Sequence, residues 1–231
     1  MGNSIIISYK DIHFYKKFIS SHGTFCKSII FYADAKYLYD NKNVFASVIE
    51  LYYSLFHLGI TVYLLHHEGT DEAKYLTKMI KKFGLLSEDD ISRVLSHGKV
   101  IKFLIQKKDF KKMAGLLKEL KEMRELVNYG PRTKFLKNKI LWNYCEVKEK
   151  AEKLKDYFFK VNECYRIFKK YVFIKRNKRP EDKILPLWLP LFKERKKAYF
   201  DDYIGDILDK KVLFYINELL FSLSIIQNEP M

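Results

Sequence analysis

The alternation of apolar and polar positions along this chain is helical almost throughout, and one stretch is apolar on nearly every side. Val44 to His67 reads VFASVIELYYSLFHLGITVYLLHH. Val48, Tyr52, Leu55, Phe56, Gly59, Ile60 and Tyr63 recur at helical intervals, and Gly59 removes bulk where a neighbour can come close. The charge-free run between Glu50 and Glu68, roughly 17 residues, is at the short limit for a bilayer span and carries Ser54 and His57. It reads as a buried hub that other helices must surround, and no transmembrane segment is expected.

The flanking segments supply those helices. Asp109 to Tyr129 carries a stripe of Met113, Leu116, Leu120, Met123 and Val127, and Gly130-Pro131 ends it. Upstream, residues 4 to 20 suit a strand start or a short amphipathic helix. After a break at Ser20 to Gly23, Thr24 to Asn41 resumes helical spacing with Ile29, Ala33, Tyr37 and Asp40 on one face, and Asn41 to Asn43 forms a turn. Downstream of the hub, Thr70-Asp71 caps a helix over Glu72 to Phe83, closed by Gly84. Ser87 with Asp90 opens another near Glu88, which passes or bends at Ser96-His97-Gly98 and continues through KVIKFLIQ. A long helix spans about Leu141 to Ile174, with Val147, Ala151, Leu154, Phe158, Val161 and Tyr165 inward. The basic run Lys175 to Pro180 and the following LPLWLPLF read as a linker or hinge. Lys193 to Leu208 and Lys210 to Gln227 read as two further helices. The expected fold is all-α: an N-terminal segment (1–23), a helical bundle (24–174), then a basic linker and C-terminal helical extension (175–231).

Composition agrees. A chain of 231 residues that is 48% hydrophobic can bury one sizeable core. Its 18 Phe and 17 Tyr against 9 Gly and 5 Pro favour long helices over turn-rich sheets. The formal charge of +15 makes nucleic acid the first partner to consider and an anionic membrane surface the second, with a lysine-rich soluble protein as the bland alternative. Cys26, Cys145 and Cys164 are odd in number and lack a C-x-x-C or Cys/His cluster, so neither a disulfide framework nor a zinc site is suggested. No metal or cofactor is expected, and a reducing cytoplasm fits. MGNSIIISYKD has too short an apolar run for a signal peptide.

Three pieces stand in order: SVIELYYSLFHLG (47–59), LSHGKVIKFL (95–104), and LKELKEMRELVNYG (117–130) followed by the long helix with AEKLKDYFFKV. Together they resemble the HEPN superfamily, the higher-eukaryote and prokaryote nucleotide-binding domains. Its small prokaryotic members carry a Y-Y-x-x-F-H helix, an S-H-x-x-[VI] segment and a late R-x-x-x-[DN]-Y. The likeness covers roughly residues 24 to 170. It implies an up-and-down helical bundle, frequent homodimers, and RNA cleavage in toxin-antitoxin and phage-defence systems. In catalytic members an Arg and a following His meet across a dimer cleft and promote metal-independent attack of a ribose 2′-OH on the adjacent phosphate. Some members pair with a nucleotidyltransferase.

Arg124 matches the family arginine, but Glu125 to Tyr129 and then Gly130-Pro131-Arg132 follow it with no histidine. Tyr129 takes the earliest place where that histidine could fall, yet a phenol titrating near pH 10 is a poor base at neutrality. Arg124 and Asn128 share a helix face, whereas Tyr129 points about 140° away. The candidate catalytic set is Arg124, Asn128 and Tyr129. Arg124 can bind phosphate or base; alternatively it pairs with a carboxylate such as Glu50 inside the bundle. Lys99 and Lys102, with Arg132, Lys134, Lys137 and Lys139 in the following loop, form a candidate phosphate-tracking surface. His97, between two helical pieces, can approach an anion or hydrogen-bond a free carbonyl, and His57 reads as a satisfied core histidine. Two functions follow: an RNA-binding HEPN-like protein, possible ribonuclease chemistry included, or a non-catalytic subunit that holds a nucleotidyltransferase or larger defence enzyme.

Overall fold

The computed structural model describes residues 9–66, 95–129, 149, 153–173, 188–194, 210–223 and 225. Among these the fold is all-α. Helix α1 spans Tyr9–Asp40 and α2 Val44–His66. Then come α3 (His97–Ile105), a 3₁₀ turn (Lys108–Phe110), α4 (Lys111–Tyr129) and α5 (Leu154–Phe173). Residues 188–194 are also helical, and α6 is Lys210–Ser222.

The hub is α2. Its face at Val48, Leu51, Tyr52, Leu55, Phe56, Ile60 and Tyr63 is buried, and it packs on α1, α3, α4 and α5. It is long and apolar enough to cross a membrane, but 78% of its most apolar window is buried inside the protein, where a core helix lies. Gly59 has the packing role its sequence position suggests. A Cβ there would stand 2.8 Å from Val100 Cγ1 and 3.2 Å from Leu104 Cδ1, so the missing side chain lets α3 cross close to α2.

The short turn between α1 and α2 makes them an antiparallel hairpin. Asn43 N–H donates to Leu38 O at 2.8 Å and Lys42 N–H to Tyr39 O at 3.0 Å, the pair of bonds that closes a Schellman motif. Lys42 sits at φ 65°, the left-handed position this motif demands. Asn43 then caps α2, its Oδ1 accepting from Ala46 N–H at 3.4 Å.

Two expectations are corrected. The break at Ser20 to Gly23 does not occur, because α1 runs through it without interruption. LPLWLPLF, read as hinge, ends in a helical stretch whose Trp188, Leu189 and Phe192 are core residues. The two corrections share one cause. Trp188 Nε1–H donates to Ser21 Oγ at 2.7 Å, and a ring nitrogen of His22 lies 2.9 Å from Trp188 O. Ser21 and His22, at the centre of the expected break, are engaged by tertiary partners, which outweighs their weak helix propensity. Ser96 opens a new helix: it is extended at φ −64°, ψ 152° and its Oγ caps Lys99 N–H.

The stripes on α4 and α5 face inward at their described positions; of the long helix expected from about Leu141, the structure describes Leu154–Phe173, preceded by a turn at Lys153, and Val147 and Ala151 lie outside the described residues. Met113, Leu116, Leu120 and Met123 are buried, as are Leu154, Phe158, Val161 and Tyr165. Tyr171 of α5 is core as well. The helix expected over 72–83, the cap at Ser87, the basic loop after Tyr129 and residues 195–209 lie outside the described residues.

Candidate nucleic-acid interface

Three helices bring the candidate residues together on one flank of α2. Positions 52, 53, 56 and 57 of α2 contribute two tyrosines, a phenylalanine and a histidine. His97 arrives at the first residue of α3, and Arg124 from two-thirds along α4. The Arg124 guanidinium carbon lies 5.2 Å from the Tyr52 ring centre and 5.3 Å from that of Tyr53, within cation–π range of each. His97 stacks on Phe56 at 4.2 Å and on Tyr52 at 5.5 Å, and its Nδ1 shares a hydrogen bond with the Tyr52 hydroxyl.

The rings close on themselves. Tyr52 touches Tyr53, Tyr53 touches Phe31 of α1, Phe31 stacks on His57 at 5.2 Å, and His57 meets Phe56, which returns to His97. Tyr53, His57, Phe31, His97 and Arg124 are all half-buried, so the cluster lies at the edge of the core rather than within it.

Arg124 does not pair with Glu50. It forms no ion pair or hydrogen bond among the described residues, and its buried Nε lacks an acceptor. The π-faces of two phenols hold the charge where a carboxylate would normally do so. Beside it, Lys121 and Glu125 of α4 pair at 3.5 Å. Burial and the adjacent Arg124 charge push the His97 pKa below the ordinary histidine value, so its imidazole is neutral at pH 7. With Nδ1 tied to Tyr52, Nε2 is left without a partner among the described residues, as donor or as base according to the tautomer that Tyr52 holds.

Two further observations were not legible in sequence. His57, read there as satisfied, keeps a buried Nδ1 with no partner, and burial foremost, then the positive charge of Lys27, lowers its pKa to about 3. Asp34 of α1 and Glu50 of α2 also face each other on this flank without a hydrogen bond or ion pair among the described residues. Burial raises Asp34 to about 6; burial and then the charge of Asp34 raise Glu50 to about 7. On α2, Glu50, Tyr53 and His57 are spaced by one helical turn each; on α1, Asp34, Phe31 and Lys27 match them in the opposite direction. That i, i+3, i+7 register was visible in each helix, but not that the two rows meet.

Of the other expected site residues, Asn128 is exposed one turn beyond Arg124, and Lys99 and Lys102 are exposed on α3. Tyr129 ends α4, but its side chain lies outside the described residues, as do Arg132, Lys134, Lys137 and Lys139. The structure thus joins Arg124 to His97, which sequence spacing had kept apart. Compared with protein-family models, curated proteins and solved structures, the chain matches none.

Proposed function

We propose that this chain is a HEPN-like RNA-binding protein whose binding surface is the flank of α2 crossed by Arg124 and His97. The observation that carries the reading is the half-buried guanidinium of Arg124, held over two tyrosine rings with no carboxylate paired to it among the described residues. A partly buried cation in that state is poised for an anion, and its planar fork suits a phosphate. Half-buried aromatic rings beside it provide stacking surface for an unpaired base, and the +15 charge draws in a polyanion. RNA binding is the core of the proposal. Cleavage is its stronger form: a neutral His97 beside Arg124 supplies a proton-moving group next to a phosphate-binding one, the two parts that 2′-OH attack on phosphate requires. Here the histidine comes from α3 rather than from the residues after Arg124. A toxin-antitoxin or phage-defence setting follows from the resemblance and belongs to the same proposal.

Fluorescence anisotropy with a labelled single-stranded RNA, over a salt series, tests the binding. The wild-type chain is expected to bind with an affinity that falls steeply as salt rises. Arg124→Ala should weaken binding about tenfold or more at constant fold, and Arg124→Lys should restore only part of it. Absence of RNA binding at low salt, or full binding by Arg124→Ala, sinks the proposal. If the chain also cleaves, products ending in a 2′,3′-cyclic phosphate should vanish in His97→Ala while binding persists.

A further inference from the structure

Large apolar side chains exposed on a helical protein are costly unless something covers them. Among the described residues, the three most exposed ones come from two helices: Phe159 of α5 at 65%, Phe214 of α6 at 63% and Phe221 of α6 at 54%. Phe159 forms one wall of a groove of about 400 Å³ between α4 and α5. Lys112, Gly115 and Glu119 line its α4 side, while Glu163 and Ile167 continue the α5 side. At mid-groove a Cβ on Gly115 would meet nothing within 4 Å, so the floor is open there.

We propose that this groove seats α6 of a second copy of the chain. The dimensions agree. Phe214 and Phe221 are seven residues apart, about 10.5 Å along a helix, and the groove runs the same seven residues from Lys112 to Glu119. Two rings at that spacing are the anchor pattern of a helix laid in a groove. The charges agree as well. Glu218, exposed between the two rings, meets a groove bordered by Lys112 and Lys160, while of the groove's own carboxylates Glu163 is paired with Arg166 and Glu119 accepts a hydrogen bond from Tyr157. The groove and the α6 stripe lie on neighbouring elements, since Arg166, Lys169 and Lys170 of α5 line a second hollow with Ser222 and Leu223 at the end of α6. A twofold pairing therefore makes the contact twice, which brings a small groove toward the area that a stable dimer needs.

Sedimentation velocity of the full chain over a concentration series tests this independently of RNA. The wild-type chain is expected to dimerise. Phe214→Asp with Phe221→Asp, on the α6 side, should raise the dissociation constant about tenfold or more. So should Gly115→Trp, which fills the groove; Phe159→Asp serves as the second groove variant should the tryptophan disturb folding. Ile105→Asp, an exposed apolar residue of α3 outside both surfaces, should leave the dimer unchanged. Circular dichroism confirms that each variant keeps its helical content. A wild-type chain that stays monomeric, or a dimer that survives substitution on either side, overturns the proposal.

Discussion

Helices α1 and α2 have two flanks with opposite polar chemistry. On the flank toward α5 and Trp188, buried polar groups are matched. Ser28 Oγ–H donates to Ser54 O at 2.7 Å, and the Tyr165 hydroxyl lies 3.0 Å from Ser54 Oγ. Thr24 and Thr61 share a hydrogen bond at 2.9 Å, and Ser47 Oγ–H donates to Ala35 O at 2.6 Å. Ser20 Oγ, Asn162 Oδ1 of α5 and Asn217 Oδ1 of α6 are exceptions. On the flank toward α3 and α4, Arg124 and His57 have buried nitrogens without partners, and Asp34 faces Glu50 with no neutralising cation among the described residues. Buried polar groups left unmatched cost stability, so the first flank is built for folding and the second carries a deficit that a ligand can relieve. The difference contrasts a flank whose polar groups are mostly paired with one where a charged guanidinium and two carboxyls lack hydrogen-bond or ion-pair partners among the described residues.

Substitutions sharpen that contrast, and the largest effect belongs to the matched flank. Trp188 is fully buried among His22, Phe25, Phe168 and Phe192, at ring distances of 4.7 to 5.5 Å. Trp188→Ala should cost about 3–5 kcal/mol in chemical denaturation, since it opens a cavity and removes the Nε1–H that donates to Ser21 Oγ. Next, Tyr165→Phe keeps the packing but removes the hydroxyl shared with Ser28 and Ser54, at an expected cost of about 1–2 kcal/mol. An unchanged midpoint for Tyr165→Phe would erase the claim that this flank's hydrogen bonds matter to folding.

The smallest effect is on the other flank and has the opposite sign. Glu50 titrates near 7 when folded, above its ordinary carboxyl value, so its contribution to stability is present at low pH and is lost as pH rises through about 7. Glu50→Gln should therefore stabilise the protein by about 1 kcal/mol at pH 8, a figure reduced by its half-exposed position, and by almost nothing at pH 4. His57 acts in the other direction: held near 3 when folded, it favours the native state above about pH 6.5 and penalises it as pH falls toward 3. Melting temperatures of Glu50→Gln and wild type across pH 4 to 8 check the sign. A stability gain that does not grow with pH would mean that the carboxyl pair carries no burden.

Much of the fold was legible because burial leaves a periodic trace. The hub, the stripe on α4 and the inward row of α5 were all readable as helical repeats of apolar residues, and Asn41 to Asn43 as a turn. Ser20 to Gly23 and LPLWLPLF misled for the opposite reason. Their local chemistry favours interruption, and only contacts more than a hundred residues apart in sequence, between α1 and Trp188, hold them helical and buried. The site divided in the same way. Arg124 and His97 each stood out in its own motif, but not their meeting at Tyr52, because spacing along one helix says nothing about what a second helix delivers to the same ring.

Sequence alone determined the helical class, the identity of the central helix and the excess of positive charge, since these depend on residue type and on periods of a few residues. Tertiary structure alone decided which polar groups are satisfied. It set Arg124 over two tyrosines beside His97, brought Asp34 against Glu50, and enclosed Trp188. Hydrogen bonding and desolvation depend on distances between segments remote in the chain, and no local pattern encodes them.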